Sequence, residues 1–135
     1  MSTLTSTDLD VTDVNCTNLK DASGGNSSTP ANILSGTVKA WVNMDGSGTA
    51  HIDTSFNMTS ITDNGTGVYT LTIATDFGSA DWVAAGMCGT ENTTTHIIGT
   101  GNTAPTAGTI KIQTVNDGGG AIDCPHIMVM MIGDQ

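Results

Sequence analysis

Alternation of apolar and polar residues, interrupted at short intervals by glycine-rich turns, dominates this 135-residue chain from Gly36 onward. A period of two sends successive side chains to opposite faces of a strand and does not fit the 3.6-residue repeat of a helix. Val38, Ala40 and Val42 alternate with Thr37, Lys39, Trp41 and Asn43, and after Asp45-Gly46-Ser47-Gly48 the pattern resumes with Ala50 and Ile52 against His51 and Asp53. Glycine supplies the positive φ of a tight reversal, so this stretch predicts a β-hairpin. Phe56, Met58 and Ile61 form the next strand. Asp63-Asn64-Gly65-Thr66-Gly67 is the strongest turn, its Asn-Gly step suiting the primed turns whose twist matches paired strands. Tyr69, Leu71 and Ile73 then alternate with Val68, Thr70 and Thr72.

Further strands are expected over 82–88, 94–98, 110–115 and 127–132, with a loop from Gly99 to Gly108 and a turn over 116–120. The run from Ile127 to Ile132 is apolar at every position, so both of its faces need cover. A place in mid-sheet, or burial between subunits, satisfies that need. Seven or eight short strands with regular turns predict an all-β fold, a β-sandwich or jelly-roll-like knob, over residues 37–135.

Residues 1–36 read differently. Leu4, Leu9, Val11, Val14 and Leu19 are scattered among Ser, Thr and Asp, and the stretch 22–30 has the composition of a flexible connector closed by Pro30. The segment is expected to be an extended N-terminal arm with one or two short strands, then a linker; the alternative is a frayed tail.

Composition limits the partners. Three lysines (Lys20, Lys39, Lys111) stand against thirteen acidic residues, a formal net charge of −10 with no arginine. Such a surface cannot track phosphates, so neither nucleic acid nor an anionic membrane is an expected partner. Aromatic residues are only 4% of the chain, which leaves the core to Val, Ile, Leu, Ala and Met; a thin core of this kind gains stability by oligomerising. Cys16, Cys88 and Cys124 are odd in number and widely spaced, so no closed disulfide framework is implied. The first residues have neither a basic region nor an apolar stretch, and the longest apolar run falls well short of a membrane span, so synthesis in a reducing cytosol is expected.

Chemistry is sparse. No Gly-x-Ser-x-Gly, His-Glu-x-x-His or P-loop pattern occurs. Twelve of the thirteen acidic residues are Asp, mostly in turns, where Asp bonds its own backbone. Asn43-x-Asp45-x-Ser47-Gly48 matches the start of a calcium loop, but its twelfth position is Thr54 and no helix-forming sequence flanks it, so a hairpin turn is the better reading. Cys124-Pro125-His126, with Cys88, His51 and His96, has the residue types of a zinc site without the usual ligand spacing; core cysteine and satisfied histidine are favoured. A nucleophilic Cys-His pair lacks a nameable third group. The methionines are read as fillers of irregular core gaps. Trp41 faces away from Val38, Ala40 and Val42 and is a candidate contact residue. No catalytic residue, cofactor or metal is assigned.

The stretch Val38-Lys39-Ala40-Trp41-Val42-Asn43-Met44-Asp45-Gly46-Ser47-Gly48-Thr49 resembles an element of small tail-fibre-like proteins of tailed bacteriophages and prophages. The block from Ser55 to Thr70, with its Asp63-Asn64-Gly65-Thr66-Gly67 turn, is similar to their next element, and Lys20–Asn26 and Ile110–Val129 are similar in layout. Met44 replaces the usual aromatic residue and Val68 an acidic one. The resemblance implies a non-enzymatic virion structural protein, displayed on the particle surface and homotrimeric. Its expected partners are further copies of itself and a major capsid protein or other virion protein. Contact residues are expected at Leu4, Leu9, Val11 and Val14 in the arm and at Trp41, Met128 and Met130 in the knob. A capsid decoration (cement) protein on the outer surface of the head is preferred over a tail-fibre or receptor-binding module recognising the host surface. A small glycan hydrolase is the third reading, for which no site can be named. Shortness favours decoration, because a fibre needs a long shaft or a larger anchor.

Overall fold

The structure, a computed structural model, describes residues 17–20, 23, 27–91 and 96–135. It divides into two compact units, 1–33 and 34–135. The candidate contact residues Leu4, Leu9, Val11 and Val14 lie outside the described residues.

In the first unit, β1 (Leu19–Lys20) pairs antiparallel with β2 (Ser27–Ser28), Leu19 opposite Ser28. The connector expected to run to Pro30 ends instead in a helix, α1 (Pro30–Gly36), which reaches the start of the second unit. Thr29 is its N-cap: the Thr29 Oγ1 accepts the Asn32 N–H at 3.1 Å, and Pro30 takes the first helical position, where no N–H is needed. Seven residues are too few for a helical repeat to show, and none of them is buried, so no apolar stripe marks the helix in the sequence.

The second unit is an antiparallel β-sandwich. One sheet has the order β4 (His51–Phe56), β3 (Val38–Asp45), β10 (His126–Ile132), β7 (Val83–Gly89). The other runs β5 (Met58–Asp63), β6 (Val68–Ile73), β9 (Thr109–Asn116), β8 (His96–Thr100). The alternation works as its period dictates. Ala40, Val42 and Met44 of β3 and Ile127, Val129 and Met131 of β10 point inward, against Tyr69, Leu71 and Ile73 of β6 and Ile110 and Ile112 of β9. Phe77 stacks on Trp82 with ring centroids 4.8 Å apart, and the Trp82 Nε1–H donates to the Thr106 carbonyl at 2.8 Å. These two rings, with Tyr69, join a core otherwise built from aliphatic side chains, methionine and Cys124.

Two connections show how the chain changes direction. The β5–β6 reversal falls where expected, but not as a two-residue primed turn. Gly65 (φ 117°) and Gly67 (φ 67°) take positive φ while Asn64 does not, and the Asp63 carboxylate accepts the Gly65 N–H at 2.8 Å. Between β4 and β5 the chain passes from one sheet to the other through a single residue, Asn57, whose φ of 56° is the one positive value outside glycine among the described residues. Its side chain holds the corner. Nδ2 donates to the Lys39 carbonyl at 3.0 Å and the Thr75 carbonyl at 3.2 Å, and Oδ1 accepts the Thr75 N–H at 2.8 Å. Asn tolerates this left-handed geometry better than other residues with a Cβ. Asn57→Ala is expected to lower stability by about 3 kcal/mol, combining φ strain with lost hydrogen bonds, and Asn57→Gly by about half that, since glycine keeps the φ. Urea unfolding of the two variants checks this; equal losses would remove φ strain from the account.

Burial of the Tyr69 ring is also specific. Its hydroxyl donates to the Asp123 carboxylate at 2.7 Å and lies 2.9 Å from the Gly46 carbonyl oxygen, while the same Asp123 oxygen accepts the Gly67 N–H at 2.6 Å. One buried hydroxyl thus ties together the two main hairpin turns and the segment leading into β10.

Candidate functional site

β10 lies in mid-sheet between β3 and β7, so its backbone is paired on both sides. Its inward side chains, Ile127, Val129 and Met131, are buried, whereas Met128 and Met130 face outward, 40% and 47% exposed. Mid-sheet position therefore meets only half of the need for cover. The other half is a surface.

Register assembles that surface. Trp41 pairs with Phe56 on one side and with Met130 on the other, and Met130 pairs with Ala85, giving a row Phe56–Trp41–Met130–Ala85 across all four strands. The next row is Thr54–Asn43–Met128–Met87. Val83 continues the same face of β7 opposite Ile132. Trp41 is 37% exposed, Phe56 54%, Met87 64% and Val83 65%. Between the Trp41 and Met87 side chains lies a groove of about 470 Å³, floored by Ala85 and Gly86 and flanked by Met128 and Met130. Together the large side chains of this face expose on the order of 600 Å² of mostly apolar surface, at the upper end for a monomer and close to one side of a standard protein–protein interface.

The other sheet shows that this is not a general consequence of the fold. Its outward residues are Ser60 and Thr62 on β5, Thr70 and Thr72 on β6, and Thr109, Lys111 and Gln113 on β9, paired as Thr62–Thr70–Lys111 and Ser60–Thr72–Thr109, with Val68, Val115 and Ile97 as apolar exceptions toward one end. Apart from that end, this outer face is dressed for water, and the face of the first sheet is not. The two apolar rows contain no carboxylate in a chain of net charge −10.

Comparisons of the chain with family models, with curated proteins and with solved structures found no match. The geometry of the face is therefore the ground for a functional reading.

Of the knob residues expected to make contacts, the structure brings Trp41, Met128 and Met130 into this one patch, Trp41 and Met130 directly paired. Phe56, Ala85, Met87 and Val83 join them, although no local pattern marks them as contact residues. β7 reads Val-Ala-Ala-Gly-Met-Cys-Gly, which has no alternation to say which side chains face out. Only its pairing with β10 does so.

The other candidate groups are dispersed or committed. Asp45 accepts both the Ser47 N–H at 2.7 Å and the Ser47 hydroxyl at 2.6 Å, closing the hairpin turn; those bonds hold its carboxyl below the usual carboxylate range. Cys88 and Cys124 lie within hydrogen-bonding reach of each other, and burial pushes both thiols up, Cys88 to about 11. A thiol so protonated is a poor nucleophile and a poor metal ligand. The histidines do not gather around them. His51 pairs with Asp53 at 3.3 Å on the β4 edge, His126 is exposed at the start of β10, and His96 opens β8 with its Nδ1 buried and unpartnered. Among the described residues, no three His, Cys, Asp or Glu side chains are grouped to hold a metal ion.

Proposed function

We propose that this chain is a non-enzymatic structural protein of a bacteriophage particle: a homotrimeric capsid decoration (cement) protein on the outer surface of the head. One observation carries the reading, the unpartnered face Phe56–Trp41–Met130–Ala85 beside Asn43–Met128–Met87, which has the size and composition of an assembly surface. Copies of the chain meet through this face, covering the outward side of β10. A β-sandwich in such an assembly protects its apolar strands against neighbours, and closed symmetry leaves no further sticky surface. Carboxylates lie on the turns and loops, at Asp76, Asp81 and Asp117, and at the end of β5, Asp63, so the assembled knob presents a negative surface that keeps densely packed particles apart. The resemblance of residues 38–70 to small virion proteins supplies the particle.

Purified particles decide the matter. A decoration protein is expected at hundreds of copies in multiples of three, measured by gel densitometry or by cryo-EM of the head. A few dozen copies or fewer, on the tail, would replace this reading with a tail-fibre module; absence from particles would end both.

A further inference from the structure

The methionines among the described residues fall into two sets. Met44 and Met131 are fully buried in the core, and Met58 packs against it. Met87, Met128 and Met130 are exposed on the outward face of the first sheet. Alternation makes the division: Met130 and Met131 are neighbours in β10 and point to opposite sides. Register then gathers the outward set, since Met128 pairs with Met87 and Met130 with Trp41. All three border the groove of the apolar face.

A thioether is an apolar side chain that chemistry can make polar, whereas leucine offers similar apolar area without a reactive lone pair. Oxygen transfer from hydrogen peroxide balances without a further reactant. The sulfur lone pair forms an S–O bond, the peroxide O–O bond breaks, and the proton left on the transferred oxygen passes to the departing hydroxide, which leaves as water. Sulfur is oxidised by two electrons and the peroxide reduced by two. The sulfoxide oxygen then has to keep water or find a hydrogen-bond donor. Of the residues bordering the groove, only Asn43 and Trp41 carry a side-chain N–H. A second apolar surface laid over the groove would therefore strip water from the sulfoxides without replacing it. Cys88 and Cys124 compete weakly for the peroxide, because burial keeps both thiols protonated.

We propose that Met87, Met128 and Met130 form a modification site, oxidised to sulfoxides by peroxide in the unassembled chain, and that this oxidation switches off the assembly face. The inference rests on the reading of this face as the surface through which copies meet, and adds its regulation. Assembled chains hide the three sulfurs and keep them reduced, whereas a chain left unassembled in peroxide loses its ability to join. Met44 and Met131 take no part, so the knob stays folded while its surface changes. The change is reversible, because sulfoxide reductases return the thioether.

Hydrogen peroxide on the full-length protein, followed by peptide mapping and by light scattering after gel filtration, tests the switch. In chains diluted until dissociated, Met87, Met128 and Met130 are expected to oxidise about tenfold faster than Met44 and Met131. In the assembled protein the same three should slow by about tenfold, with the core pair unchanged. Reconcentrated oxidised chains should associate about a hundredfold more weakly, unfold thermally as before, and recover association after treatment with sulfoxide reductases. Met87→Leu/Met128→Leu/Met130→Leu keeps the face apolar without its sulfurs and should associate equally before and after peroxide. A wild type that is monomeric before any peroxide would overturn the assembly reading and the switch with it. Undiminished association with all three sulfoxides in place would overturn the switch alone, and so would an equal loss in the leucine variant or failure of the reductases to restore association.

Discussion

Trp41→Glu, and more strongly Trp41→Glu with Met130→Lys, is expected to yield a folded monomer of 13.7 kDa, where the proposed trimer requires the wild type to sediment as three chains. Both side chains lie on the outward face, with Met130 between Trp41 and Ala85, so a charge at either position enters the middle of the apolar row. Covering that charge in an assembly without a partner costs several kcal/mol, and loss of a central aromatic anchor adds about 2 kcal/mol more. At roughly 1.4 kcal/mol per factor of ten, association should weaken by at least a hundredfold. The isolated knob loses little, because neither residue belongs to the inward core, and exposed substitutions change stability by about 1 kcal/mol or less. Light scattering after gel filtration reads the mass, and thermal unfolding reads the knob. A variant that stays trimeric with unchanged stability would make Trp41 a bystander and remove the face from the assembly.

Gly46→Ala should cost the knob about 3 kcal/mol, as much as Asn57→Ala. A Cβ at this position would strike the Tyr69 hydroxyl and lie 2.7 Å from the ring carbon that bears it, with the Cys124 carbonyl oxygen 3.0 Å away. Tyr69 is fully buried and cannot retreat without breaking its hydrogen bonds to Asp123 and Gly46. Overpacking of about 1–3 kcal/mol therefore combines with the cost of a buried hydroxyl displaced from its partners. Tyr69→Phe keeps the packing and removes only the hydroxyl, so a smaller loss of about 1–2 kcal/mol is expected.

The same tyrosine makes stability depend on pH. Burial, and then the Asp123 carboxylate it donates to, push its ionisation well above the ordinary value of 10.0. In the unfolded chain the phenol loses its proton first as pH rises, so the folded state binds more protons and stability falls above about pH 10. Tyr69→Phe should flatten that decline in chemical unfolding measured between pH 8 and 11. An unchanged slope would assign alkaline instability to the Cys88 and Cys124 thiols, whose ionisation burial also raises.

Much of the knob is legible in the order of its residues, for a reason visible in particular strands. Val38-Lys39-Ala40-Trp41-Val42 and Tyr69-Thr70-Leu71-Thr72-Ile73 alternate cleanly, and a period of two is a local property that residues i and i+2 declare without help. Turns announce themselves equally locally, through Asp45-Gly46 and Asn64-Gly65, although the backbone path through 63–67 differs from the simplest turn that dipeptide allows. α1 escapes such a reading because a single capped helical segment of seven residues has no buried face to pattern it.

Local residue order thus specifies most of the strands, which side chains of the alternating ones enter the core, and that Trp41 opposes its own strand's apolar set. Long-range pairing settles the rest: that Phe56, Trp41, Met130 and Ala85 form one row, that the outward side of one sheet is apolar while the other is mostly polar, and that β7 is the last strand of its sheet among the described residues. Strand pairing joins residues far apart in the chain, and a shift of one residue in any register would turn a whole side-chain set to the opposite face.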